Sequence, residues 1–183
     1  MSIFNESGVT VTLTGFEHHR FCDLPTYRKI SGQNIKEVDI CWLQPTMPNS
    51  DAPTLIALEL KDYIQTKVPF DSLFDNLLNK IRDTLSLFTA AWLQQGLGAQ
   101  IQQELPQSYQ RLSPNLKLIF VLLVNIDSNQ AATLKALREK INAKIKGIAK
   151  LHNIQVTVCN LAIAQNIGLP IAANTAPSTE NSL

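Results

Sequence analysis

Three polar residues stand inside stretches that otherwise read as buried strand: Asp39 in "IKEVDICW", and Glu59 and Lys61 in "TLIALELKDY". Side chains alternate sides along a strand, so Glu59 and Lys61 share a face with Leu55 and Ala57, opposite Ile56, Leu58 and Leu60. The same rule groups Asp39 with Glu37 and Cys41, opposite Val38, Ile40 and Trp42. If the two strands are neighbours, Asp39 meets Glu59 across the ladder. Two carboxylates that close repel, and a hard cation such as Mg²⁺ relieves the repulsion through oxygen ligands and waters. A lysine two residues beyond the second acid could orient or help deprotonate the attacking water, or neutralise charge developing on a phosphate. That is phosphodiester cleavage in outline. The plainer alternative is a cross-strand salt bridge at a sheet edge, which contributes little when exposed.

The elements that must position these residues follow from periodicity. "VTVTLTGF" alternates Val9, Val11 and Leu13 against threonines, the pattern of a strand with one wet face. "TYRKISGQNIKEVDICWL" has strand-like halves around the turn residues "SGQN", so a hairpin is expected from about Tyr27 to Leu43. The proline-rich "QPTMPNSDAP" cannot extend that ladder, and "TLIALELKDY" follows as a more deeply buried strand. After Pro69, residues Phe70, Leu73, Leu77, Ile81, Leu85, Phe88 and Trp92 recur at helical spacing, with Asp71 placed to cap the first turn. Gly96 and Gly98 end that helix, and "AQIQQELPQSYQRL" reads as a short helix or irregular crossover.

"NLKLIFVLLVNID" is a continuous apolar run, the mark of a central strand covered on both faces. Asp127 or Ser128 then caps a second helix, with Leu134, Leu137, Ile141, Ile145 and Ile148 on one stripe and Lys135, Lys146 and Lys150 on the other side. "IQVTVCNLAI" is the last expected strand, and from about Pro170 the chain has too little apolar surface to order itself. The order is strand, hairpin, strand, helix, strand, helix, strand. That describes one α/β domain over residues 1–169, a mixed β-sheet flanked by helices, with a loose tail over 170–183.

Composition limits the functions to be considered. A chain of 183 residues with 45% hydrophobic residues suffices for one domain with a real core. A formal net charge of +1 lacks the overall basic field of dedicated nucleic-acid binders, so any such contact must be local. The three cysteines, Cys22, Cys41 and Cys159, are widely spaced and fit free thiols in a reducing cytoplasm. No signal sequence opens the chain, and the run "LKLIFVLLV" is too short to span a bilayer, so no membrane association is expected.

A strand carrying an Asp, a loop, an apolar strand carrying E-x-K, a long helix and another buried strand together resemble the PD-(D/E)xK nuclease superfamily, with its restriction-endonuclease-like fold. "EVDI" followed by "ALELKDY" carries the resemblance, which covers about Thr26 to Asn125. It implies Asp39 and Glu59 as ligands of one or two Mg²⁺ ions, with Mn²⁺ as a substitute, the backbone carbonyl of Leu60 as a further ligand, and Lys61 beside the attacking water. It also implies DNA or RNA as substrate. The sequence departs from the family where a helix often supplies another acid before the first core strand, since only eight residues precede Val9. Glu17 substitutes for that acid only if its loop folds back toward Asp39.

The other reactive types read more plainly. His18 and His19 are adjacent and point apart on a strand, as a polar surface pair does. Glu37 is a solvated or metal-adjacent carboxylate, and Asp62 faces away from Glu59. Trp42 and Trp92 fall in apolar periods and belong to the core. Phosphate contacts are limited to Arg20, Arg28, Lys29, Lys36 and Lys67. Serine and cysteine nucleophile motifs and phosphate-binding glycine loops are absent. Two readings follow: a Mg²⁺-dependent hydrolase of nucleic acid using Asp39, Glu59 and Lys61, or a catalytically silent nuclease-like interaction or scaffold module working as a homo-oligomer.

Overall fold

The computed structural model describes residues 2–44, 53–63, 69–111, 116–126 and 130–173. The first strands are β1 (Ile3–Glu6), β2 (Val9–Thr12) and the short β3 (His18–His19), followed by helix α1 (Pro25–Arg28), β4 (Ile40–Gln44) and β5 (Thr54–Asp62). Helices and strands then alternate: α2 (Phe70–Trp92), α3 (Gly98–Glu104), β6 (Lys117–Asn125), α4 (Ala131–His152), β7 (Ile154–Cys159), α5 (Leu161–Asn166) and β8 (Ile171–Ala173). Asp127 and Ser128, expected to cap α4, lie outside the described residues, as do Lys67, most of the proline-rich loop and residues 174–183.

The main sheet has the order β3-β4-β5-β6-β7. Its first two pairings are antiparallel, and β5, β6 and β7 run parallel because a helical crossover separates each from the next. The most apolar run, β6, is interior, between β5 and β7, with Phe120, Leu122 and Val124 packed on one face and Val121 and Leu123 on the other. Helices α2, α3 and α4 cover the first face through Leu77, Phe88, Ile101, Leu137 and Ile141. The opposite face is covered by α5 and a separate three-stranded sheet, β1-β2-β8, through Val9, Val11 and Ile171.

Five sequence expectations change. The hairpin from Tyr27 to Leu43 does not form; Pro25 opens a single helical turn instead, and the backbone N–H and hydroxyl of Thr26 donate to the Glu104 carboxylate. Tyr27 thereby enters the core, and the actual partner of β4 is β3, with His19 opposite Cys41. Second, "VTVT" joins the small sheet, paired with β1, not the main one. Third, "IQVTVCNLAI" stays extended only to Cys159, where Asn160 caps α5 by accepting the N–H of Ile163 at 3.0 Å. Fourth, the segment after Pro170 supplies β8 over Ile171–Ala173, where an ordered edge was already available on β2.

Fifth, Asp71 does not cap α2. Its carboxylate takes the Lys140 ammonium at 2.6 Å, tying α2 to α4. The α2 and α3 helices meet at Gly98, where a Cβ would lie 2.2 Å from the backbone oxygen of Ala90. Gly98→Ala should therefore cost about 1–3 kcal/mol, the range for forcing atoms into a packed contact. Chemical denaturation reads this directly, and an unchanged midpoint would mean the helices separate freely.

Candidate active site at the start of β4

The β4–β5 ladder ends at a defined place. Its register pairs Ile40 with Leu58, so the next position sets Asp39 opposite Glu59. The ladder stops there because the N–H of Val38 donates to the Thr84 hydroxyl on α2, at 3.0 Å, and not to β5. Leu60 consequently has no strand partner on that side, and its N–H donates to Asp39 Oδ2 at 2.7 Å. A buried N–H must find an acceptor, and here the acceptor fixes the Asp39 carboxylate. Arg20 Nε donates to the Asp39 carbonyl at 3.1 Å, holding the same residue from the β3 side.

Glu59 lies on the helix-covered face, the side shared with Leu55 and Ala57, and is 0% exposed. Lys80 of α2 reaches down to both acids: its ammonium is 2.7 Å from Glu59 Oε2 and 3.4 Å from Asp39 Oδ1. Lys61 Nζ stands 3.7 Å from the other oxygen, Glu59 Oε1, which accepts no hydrogen bond. Two carboxylates and two ammonium groups thus meet under one end of the sheet.

Burial is the larger reason, and the charge of Asp39 the smaller one, that the Glu59 carboxyl is pushed up to about 8, against the pull of Lys80 and Lys61. Burial by itself would lower the Lys80 ammonium, but the charges of Glu59 and Asp39 outweigh it and raise the group. Lys80 was not among the residues singled out from sequence. A signal was present: Leu73, Leu77, Lys80, Thr84 and Leu87 follow alternating steps of four and three, so a charged residue sits in a row otherwise made of buried residues.

The other sequence candidates disperse. Glu17 sits opposite Leu43, whose N–H it accepts, at the far end of β4 from Asp39; its carboxylate is bound by the Ser108 hydroxyl. It therefore does not substitute for a further acid. Glu37 accepts the Tyr27 hydroxyl, and Asp62 is buried on the face opposite Glu59. His18 Nδ1 bonds the Phe16 carbonyl at 2.9 Å. His19 is no surface residue: it is 7% exposed and makes edge contacts with Phe21, Phe88 and Tyr109. Arg28 bonds the Cys22 carbonyl, and Lys135, Lys146 and Lys150 lie exposed on α4. Trp42 and Trp92 both pack in the core, as their periods require.

Among the described residues no cluster of three or more His, Cys, Asp and Glu side chains is placed to hold a metal. The oxygen donors that do converge are two carboxylates; the Leu60 carbonyl lies on the same strand edge as the N–H given to Asp39 and accepts the Ser7 hydroxyl at 3.4 Å. This is the hard-donor chemistry that suits Mg²⁺, which keeps several waters and needs only one or two protein carboxylates. The buried, unbonded Glu59 Oε1 is the atom such an ion would satisfy. No helix among the described residues is long and apolar enough to cross a membrane. No family model, curated protein or solved structure matches the chain.

Proposed function

We propose that the chain is a Mg²⁺-dependent phosphodiesterase of the PD-(D/E)xK type, acting on DNA or RNA from a restriction-endonuclease-like core. The carrying observation is the meeting of Asp39 and Glu59 at the end of the β4–β5 ladder, with Lys61 beside Glu59. Asp39, Glu59 and the Leu60 carbonyl would hold the ion, with Mn²⁺ as a substitute. The ion supplies Lewis acidity to the phosphate and lowers the pKa of the nucleophilic water. Lys61, 29% exposed, offers its ammonium to a phosphate oxygen where charge develops, or orients the water. The backbone bond from Leu60 holds Asp39 in place without adding charge. A cytoplasmic setting belongs to the proposal and is supported by the free thiols of Cys22, Cys41 and Cys159.

One observation favours the alternative, a silent nuclease-like module working through partner proteins or a second copy of the chain. Lys80 already bridges both acids without a metal. The two readings separate in a cleavage assay on single-stranded, duplex and branched DNA and RNA with Mg²⁺ or Mn²⁺. Under the nuclease reading, Asp39→Ala and Lys61→Ala each lower the rate at least about a hundredfold, as loss of a preorganised charge-stabilising group does. No cleavage of any substrate by the parent chain, or cleavage indifferent to both changes, leaves the silent module standing.

A further inference from the structure

Lys80 occupies a particular kind of place. Its ammonium sits between the carboxylates of Asp39 and Glu59, within 3.4 Å of one and 2.7 Å of the other, with its side chain 16% exposed. Among the described residues neither acid has another cation as near: Lys61 stands 3.7 Å from Glu59, on the opposite oxygen. Glu59 Oε1 is buried and accepts no hydrogen bond, so the ammonium satisfies only half of this carboxylate. An ammonium donates along fixed N–H directions, whereas a divalent cation draws in several oxygens at once. The ammonium therefore bridges the two acids but leaves one oxygen of the cluster without a hydrogen bond.

We propose that Lys80 is a tethered counter-cation, holding the position between Asp39 and Glu59 that a divalent ion takes, so that ion entry requires the Lys80 side chain to swing out of the cluster. This deepens the proposed function and rests on its assignment of Asp39 and Glu59 as the ion-binding acids. The physical argument is charge accounting. Two carboxylates cannot both stay ionised beneath a packed helix without a cation. Adding a divalent ion beside the ammonium would place like charges within a few ångströms. One cation must leave, and Lys80 is the one that can: its long flexible stem is anchored on a surface helix whose exposed face lies close by. Asn79 and Arg82, on either side of it along α2, are both exposed, so solvent is within reach of the stem. Lys80 is thus a regulatory residue that sets the ion concentration at which the site loads.

Two experiments on the full chain test this. In the first, Mn²⁺ and Mg²⁺ are titrated calorimetrically into the parent protein, Lys80→Met and Lys80→Gln, with Asp39→Asn as the site control. The expected result is at least tenfold tighter Mn²⁺ binding in either Lys80 variant, abolished by adding Asp39→Asn. Equal or weaker binding in the variants overturns the proposal, as does the absence of ion binding in all of them. In the second, the unmodified parent chain is treated with an amine-acylating reagent with and without Mn²⁺, and labelling at Lys80 is read by peptide mass spectrometry. Labelling should rise severalfold with Mn²⁺; unchanged labelling overturns the proposal even if the variants do not fold. Tighter ion binding in Lys80→Met without nucleic-acid cleavage by any form would keep the counter-cation and reject the nuclease. Cleavage by the parent chain with equal ion affinity in the variants would do the reverse.

Discussion

Replacing Lys80 by Met is expected to cost about 2–3 kcal/mol of unfolding free energy at pH 9, and only about 1 kcal/mol at pH 6, in the presence of a chelator. The larger figure adds to the loss at pH 6 the about 1.4 kcal/mol per pH unit by which the variant keeps falling after the parent levels off near pH 8. The pH dependence follows from Glu59. Its folded pKa of about 8 lies above the ordinary value of 4.5, so between these values the folded chain keeps a proton that the unfolded chain has lost. Stability of the parent chain therefore falls as pH rises from about 4.5 to about 8, and levels off above. Without Lys80 the carboxyl is pushed higher still, the fall continues past pH 8, and the difference between the two proteins opens there. At pH 6 Glu59 carries its proton in both, and the loss is limited to the partly exposed pair of Lys80 with Asp39. Adding Glu59→Gln to Lys80→Met should close most of the gap at pH 9. Urea denaturation at the two pH values checks this; an equal loss at both would show that Lys80 acts by packing alone.

The second large effect concerns His19. Burial, with a smaller contribution from the charge of His18, lowers its pKa from 6.5 to about 3. Its ring is enclosed by Phe21, Phe88 and Tyr109, and neither ring nitrogen has a hydrogen-bond partner. The folded chain therefore resists binding a proton that the unfolded chain accepts near pH 6.5. The stability tied to neutral His19 is present in full above that value and is lost progressively as pH falls from 6.5 toward 3. The slope approaches about 1.4 kcal/mol per pH unit, so the loss reaches about 2 kcal/mol at pH 5. His19→Phe keeps an aromatic ring in the cluster and removes the titration. The variant should thus gain on the parent by about 2 kcal/mol between pH 7.5 and pH 5. Parallel stability curves across that interval would show that the imidazole is charged, or exposed, in the folded state.

The two residues differ in how far the sequence betrayed them. Lys80 could have been found, because the row from Leu73 to Leu87 leaves a charged side chain on a buried face, and such a residue needs an opposite charge nearby. Which acids it would meet could not be found, since the helix stripe says nothing about the strand end beneath it. His19 was legible only as one of two adjacent histidines. Its burial depends on β3 pairing with β4, a two-residue strand whose pairing carries almost no local signal. The expected hairpin failed for a related reason. Tyr27 and Ile30 fit a strand by type, but Pro25 starts a helical turn and the Glu104 carboxylate, distant in sequence, closes it.

Local patterning was enough for the main strands β5 and β6, the long helices α2 and α4, and the alternation that turns Glu59 and Lys61 to one face, because each rests on a period set by local backbone geometry. The folded arrangement was needed to show that β1, β2 and β8 form a second sheet over the other face, that Glu17 lies away from Asp39, and that Lys80 stands between the two acids. These depend on contacts between residues far apart in the chain, where register and the ends of ladders are fixed by whichever hydrogen-bond partner the packing brings within reach.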